Sequence, residues 1–262
     1  MGERMKRGIY LLPNILTTFG LFSGFFSIIL AINEKFIFAS VAIFFAMLWD
    51  GLDGRVARLT NTQSEFGAQY DSMADLLSFV IAPALLVYLW HLSHLGKIGW
   101  ISAFIFVVAG ALRLARFNTQ IGIEDKRYFQ GLPSPSAAAI LAGIVWAFEN
   151  MGIDRTESIS SLIVIFLVIF AGLLMVSNIR YYSFKEFNLK GRSNFRLAII
   201  AAFTVAVVMI WPSTILFSFF FVYALSGVII TIIDVNKKRS EKKKLAKRNI
   251  FEYNSSYENF WP

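Results

Sequence analysis

Residues 50–75, DGLDGRVARLTNTQSEFGAQYDSMAD, set four aspartates, Asp50, Asp53, Asp71 and Asp75, against some of the most apolar sequence in the chain. A lone Asp at a membrane-helix centre costs roughly 2.5–3.5 kcal/mol, so four cost on the order of 10 kcal/mol unless something offsets them. Asp50 and Asp53 are three residues apart and Asp71 and Asp75 four apart. On helices, each pair therefore shares a face. The stretch between the pairs, residues 59–70, is polar and holds Gly67, which permits a turn or a close approach. An antiparallel pair of helices joined there brings both acidic faces together at one side of a membrane.

That a membrane is the setting follows from the rest of the chain. Of its 262 residues 56% are hydrophobic and only 16% charged, with a mean hydropathy of +0.60. Soluble domains carry about a quarter charged residues. About 20 apolar residues cross a bilayer as a helix. Eight stretches qualify as candidates: Ile9–Ile32, Phe36–Ala57, Asp75–Leu92, Ile98–Phe117, Ser134–Glu149, Ser161–Ile179, Phe195–Trp211 and Ile215–Val235. The expected fold is all-α, a polytopic membrane helix bundle of about eight transmembrane helices over residues 1–236. A basic, then aromatic, tail follows at 237–262. The basic start before an apolar run resembles a signal peptide, but the run is long and more spans follow, so an uncleaved first helix is expected.

With the N-terminus inside, eight spans leave both termini cytoplasmic. The cytoplasmic side then collects 22 of the 25 lysines and arginines, leaving only Lys35, Lys97 and Arg155 outside. This positive-inside distribution accounts for the net charge of +8 without invoking nucleic acid as a partner. The basic tail reads as an orientation signal and an anchor to membrane lipids. There is no cysteine, hence no disulfide, thiolate nucleophile or Cys-based zinc site. His91 and His94 have a metal-like spacing, yet fall in an expected outside loop and read as interfacial.

Four converging carboxylates repel one another unless cations sit between them. No His or Cys lies near residues 50–75, so the ligands are all oxygen and favour Mg²⁺ or Mn²⁺. A pair of such ions suits phosphoryl transfer. Gly54 and Ala57 have almost no side chain, so a flat or extended group can approach their helix, and Arg58 can meet a phosphate. The competing reading pairs the aspartates with Arg55, Arg58, Arg113 and Arg116 as buried ion pairs. Four acids at these spacings, with small residues among them, argue against it.

The pattern Asp50-x2-Asp53-Gly54-x2-Ala57-Arg58-x8-Gly67-x3-Asp71-x3-Asp75 resembles the complete signature of the CDP-alcohol phosphatidyltransferases. The resemblance implies transfer of a phosphatidyl group from a CDP-linked lipid to an alcohol, with release of CMP. It implies two divalent metals, one on Asp50, Asp53 and Asp71, the other on Asp50, Asp71 and Asp75. Asp75 would also act as the general base, and Asp53, Gly54, Ala57, Arg58 and Gly67 would form the nucleotide and diphosphate seat. A homodimer is implied as well.

The local variant through DLLSFVIAPALL is similar to the membrane-integral phosphatidylserine synthases, as are ALRLARFN at 111–118 and FQGLPSPSAAA at 129–139. PNILT, residues 13–17, recurs across the wider family, and Val80 stands where a small residue is expected. This branch implies CDP-diacylglycerol as donor and L-serine as acceptor, at the cytoplasmic membrane with the site facing the cytoplasm. A zwitterionic acceptor needs a cation and hydrogen-bonding groups. Arg113, Arg116, Asn118, Gln130, Ser134 and Ser136 are the candidates, although the two arginines also suit ordinary membrane anchoring. Glycerol 3-phosphate or inositol phosphate as acceptor, or an archaeal CDP-archaeol as donor, would use the same chemistry. A cation transporter with the aspartates as its ion path needs none of the Gly54, Ala57, Arg58 and Gly67 positions, and the sequence shows no inverted repeat.

Overall fold

The computed structural model describes residues 2–119, 128–153, 158–182, 203, 206 and 208–258. Helices α1 (Gly2–Ile32) and α2 (Phe36–Thr60) form an antiparallel hairpin, closed by a turn in which Glu34 takes a left-handed conformation. Small residues let the two backbones approach: Ala39 and Ala46 are fully buried on α2, and Ser27 Oγ of α1 donates to Ala39 O at 2.8 Å.

The next element is one helical rod over Glu65–Leu95. It starts as α3 (Glu65–Asp75), widens into a π turn at Leu76–Ile81, and resumes as α4 (Ala82–Val87). A second π turn (Tyr88–Leu92) and a short 3₁₀ turn (Ser93–Leu95) complete it. Pro83 lacks the N–H that would reach back one turn, and the first widened turn lies directly before it. The rod starts ten residues before the expected span. Ser64 caps it by accepting from Gly67 N at 3.0 Å, and Glu65 suits its positive end. The connection from α2 is therefore only residues 61–64.

Helix α5 (Lys97–Thr119) packs beside the rod and against α7 (Ser158–Val176), while α6 (Ser134–Met151) lies between α2 and the long α8 (Pro212–Glu258). Twelve residues of α6, from Ser134 to Ala147, are buried, so this helix is surrounded on all sides. Among the described residues, six stretches are long and apolar enough to cross a membrane: Leu11–Ile32, Phe36–Thr60, Glu65–Leu95, Lys97–Thr119, Ile159–Val176 and Pro212–Lys237. α6 is not one of them, because Ser134, Pro135, Glu149 and Asn150 dilute its ends. The expected span Phe195–Trp211 falls largely outside the described residues.

The all-α expectation holds, and among the described residues the only addition is a short ribbon in which β1 (Tyr128–Gln130) and β2 (Arg180–Tyr182) pair antiparallel, Phe129 opposite Tyr181. α8 runs unbroken past Asn236 into the basic segment as far as Glu258. His91 is not interfacial: its ring is buried against α7, with Nε2 3.1 Å from Ser161 Oγ.

Candidate active site

The hairpin of α2 and α3 carries the acidic pairs to one place. α2 ends at Asn61, which adopts the left-handed conformation, and Thr62 N returns to Ala57 O at 3.1 Å. The short connection then sets Asp71 and Asp75 against Asp50 and Asp53. Carboxylate oxygens of Asp50, Asp53 and Asp71 lie within 4.8 Å of one another. Asp75 acts electrostatically on Asp50, Asp71 and Asp53, and on Arg113. All four aspartates line a small cavity of about 10 Å³, shared with Thr17, Gly20 and Ser78.

That arrangement fits a hard divalent cation. An octahedral Mg²⁺ binds oxygens at about 2.1 Å, which sets opposite ligands about 4.2 Å apart, close to the spacing here. The donors are all oxygen and the cavity is about the size of one ion or water. Buried Asp53 is oriented from outside the acidic set: Thr17 Oγ1 donates to its Oδ2 at 2.7 Å. Such a partner fixes which oxygen is left for a metal.

Beside the acidic cavity is a second one of about 350 Å³, lined by Pro13, Asn14, Thr17, Asp53, Gly54, Ala57, Arg58, Gln63, Ser64, Gly67, Asp71 and Phe117, among others. All the residues expected to seat the nucleotide are therefore brought together. The two glycines serve different purposes. A Cβ at Gly67 would press on Ser64 Oγ at 3.1 Å and Asn14 Oδ1 at 3.4 Å, so close helix packing explains it. A Cβ at Gly54 would meet nothing nearer than Arg58 Nη1 at 3.7 Å, so packing leaves room there for a ligand.

The structure disperses the residues expected around an acceptor. Arg113 is buried on α5, donates from Nη1 to Ser134 Oγ at 2.8 Å, and interacts with Asp75 and Asp50. Its enclosed Nε has no hydrogen-bond partner. Arg116 instead donates to Val176 O at 2.7 Å and Ser177 O at 3.3 Å, closing the C-terminal end of α7. Asn118 Oδ1 accepts from Ser72 at 3.0 Å and ties α5 to α3, while Gln130 bonds Asn178 beside the β-ribbon. Ser136 is buried on α6.

The sequence matches the CDP-alcohol phosphatidyltransferase profile over residues 10–177. The chain belongs to that family. Among curated relatives, it is 38% identical to a CDP-diacylglycerol–serine O-phosphatidyltransferase of Helicobacter pylori, over 84% of this chain and 91% of the relative. Proteins of the same name from Methanocaldococcus jannaschii and Saccharomyces cerevisiae are 42% and 34% identical, over 53% and 63% of this chain and 61% and 67% of the relatives.

Within this family member, one contributor escaped sequence reasoning: Thr17 lies in PNILT, whose recurrence was visible but whose bond to Asp53 was not.

Proposed function

We propose that the chain is a phosphatidylserine synthase, moving the phosphatidyl group of CDP-diacylglycerol to the hydroxyl of L-serine and releasing CMP. The observation that carries the reading is the convergence of Asp50, Asp53, Asp71 and Asp75 on one ion-sized cavity, beside a cavity edged by Gly54, Ala57, Arg58 and Gly67. The shared name of relatives covering most of the chain supports serine as the acceptor.

In this reading Asp50, Asp53, Asp71 and Asp75 would hold the divalent ions, Mg²⁺ or Mn²⁺ and two as the family resemblance implies, and when bound these would supply the charge that neutralises the diphosphate and makes CMP a good leaving group. Gly54 and Ala57 let the diphosphate lie against α2, and Arg58 faces its charge. The serine oxygen attacks the phosphorus that bears the diacylglycerol. The P–O bond to CMP breaks, and the hydroxyl proton passes to Asp75 as the new bond forms. Arg113 receives the serine carboxylate next to that base. Direct displacement is preferred: among the described residues no His lines the acidic cavity, and its one serine, Ser78, donates its hydroxyl to Gly20 O. The cation distribution supports both termini and the active site on the cytoplasmic side of the cytoplasmic membrane, and a homodimer is part of the same reading.

The test is CMP release from CDP-diacylglycerol by purified protein with Mg²⁺ or Mn²⁺, comparing L-serine, glycerol 3-phosphate, inositol phosphate and no acceptor. Release that needs serine and metal, and is lost in Asp71→Asn, is the expected result. Release with another acceptor alone would keep the chemistry and reject serine.

A further inference from the structure

A groove of about 440 Å³ runs along the seam between α1 and α2, and among the described residues no other helix lines it. Its walls are Phe22 and Phe26 of α1 and Phe38, Phe45 and Trp49 of α2. The Phe22 and Phe26 rings are stacked with centres 5.8 Å apart, and Phe19 braces Trp49 at 5.4 Å. The one hydroxyl in the lining, Ser23 Oγ, donates to Phe19 O at 2.8 Å and so makes no demand on water. One end of the groove is charged. Exposed Lys35 edges it there, while Trp49 at the other end is followed by Asp50 of the acidic cavity. Local structure gives no reason for this lysine. It is the N-cap of α2, where Ser, Thr, Asp or Asn would serve, and it makes no capping bond. The positive end of a helix also disfavours a cation. Nor does Lys35 help to set orientation, since the expected spans leave it among three cations opposite the other 22. The neighbouring acid, Glu34, does not line the groove.

We propose that this groove binds one anionic phospholipid of the leaflet opposite the acidic site, its phosphate on Lys35 and one acyl chain laid between the phenylalanines toward Trp49. The lengths agree. Lys35 and Trp49 are 14 residues apart, about 21 Å along a helix. One leaflet contributes about 15 Å of hydrocarbon, which leaves the last few ångströms for the glycerol and phosphate at Lys35. The charges agree as well, because a lysine at a membrane surface favours a headgroup with net negative charge over a zwitterionic one. An occupied groove holds α1 and α2 together from outside, and these two helices carry Thr17, Asp50 and Asp53. The lipid is thus a brace for the acidic site, not a substrate, and the inference stands whichever alcohol is the acceptor.

The test titrates the full chain, purified in detergent and freed of lipid, with dipalmitoyl phosphatidylglycerol, and counts bound lipid by native mass spectrometry. Lys35→Gln, at an exposed position, should weaken the tightest-bound molecule about fivefold, the effect of one lysine at a membrane surface. Lys35→Arg, which keeps the charge, should bind as wild type does. Lipid gathered by the basic tail responds alike in all three proteins and cancels. Dipalmitoyl phosphatidylcholine, which lacks the net charge, and dioctanoyl phosphatidylglycerol, which lacks the chain length, should each bind wild type more weakly. Equal affinity in wild type and Lys35→Gln, or equal binding of phosphatidylcholine, overturns the proposal. Displacement of the lipid by glycerol 3-phosphate alone would reduce the site to a phosphate contact and overturns it too. So would a disulfide joining two copies of Phe38→Cys, whose thiol is the only one in its chain, because a second copy would then fill the groove.

Discussion

Gly54 sits in the interior of α2 with open space where a side chain would go. Glycine is a poor helix former, about 1 kcal/mol worse than alanine, so nothing in the folding of α2 favours it. Gly54→Ala should therefore stabilise the protein by up to about 1 kcal/mol, read as a higher unfolding midpoint in detergent, while raising KM for CDP-diacylglycerol severalfold. A variant both more stable and equally active would remove Gly54 from the diphosphate seat. The opposition between local propensity and chosen residue made this site legible: acids in apolar sequence and glycine within a helix both need a reason outside folding. Thr17 was less legible because a threonine is unremarkable in a helix until Asp53, 36 residues on, is known to accept its hydrogen bond.

At the scale of elements, the first π turn of the rod carries Ser78 and Val80 into the bundle. Ser78 Oγ bonds Gly20 O at 3.1 Å, and a Cβ at Gly24 would collide with the Ser78 backbone, so α1 presses directly on this turn. Val80, larger than the family resemblance leads one to expect, is fully buried because α5 offers Gly110 opposite it. A Cβ at Gly110 would come within 2.5–2.6 Å of both Val80 methyl carbons. Gly110→Ala should accordingly lower stability by about 1–3 kcal/mol, the usual effect of overpacking. Val80→Ala added to it should recover most of that loss, as measured by thermal unfolding of the single and double variants. Failure of the double to recover would place the close contact elsewhere. This bulk exchanged between two helices was out of reach of the sequence, as was the ribbon, whose three-residue strands are too short to show a period of two. α6 was found as a helix but not as the buried one, since a helix apolar on every face reads much like a span.

For the whole molecule, the exposed side chains are those of a lipid-facing surface: Phe22, Phe38, Phe45, Phe104, Leu162 and Phe166 all point away from the core. Such a belt says that the bundle is immersed, not which way up it is. Orientation has to come from charge, and the cations divide 22 to three between the two sides set by the expected spans. In the proposed orientation the hairpin of α2 and α3 opens toward the cytoplasm, with exposed Gln63 at its tip, while exposed Lys35 marks the opposite end of α2. The absence of cysteine makes this directly measurable, because any thiol introduced is the only one in the chain. In intact cells of a Gram-negative host with a permeabilised outer membrane, Lys35→Cys should react with a membrane-impermeant thiol reagent. Gln63→Cys should react only after the inner membrane is opened, and CDP-diacylglycerol with Mg²⁺ should then slow its labelling, because Gln63 edges the larger cavity. The reverse labelling order would turn the bundle over and put the site on the side away from the cytoplasm. A cytidine-linked donor supplied from the cytoplasm could not feed it there, so the orientation and the proposed chemistry stand or fall in the same experiment.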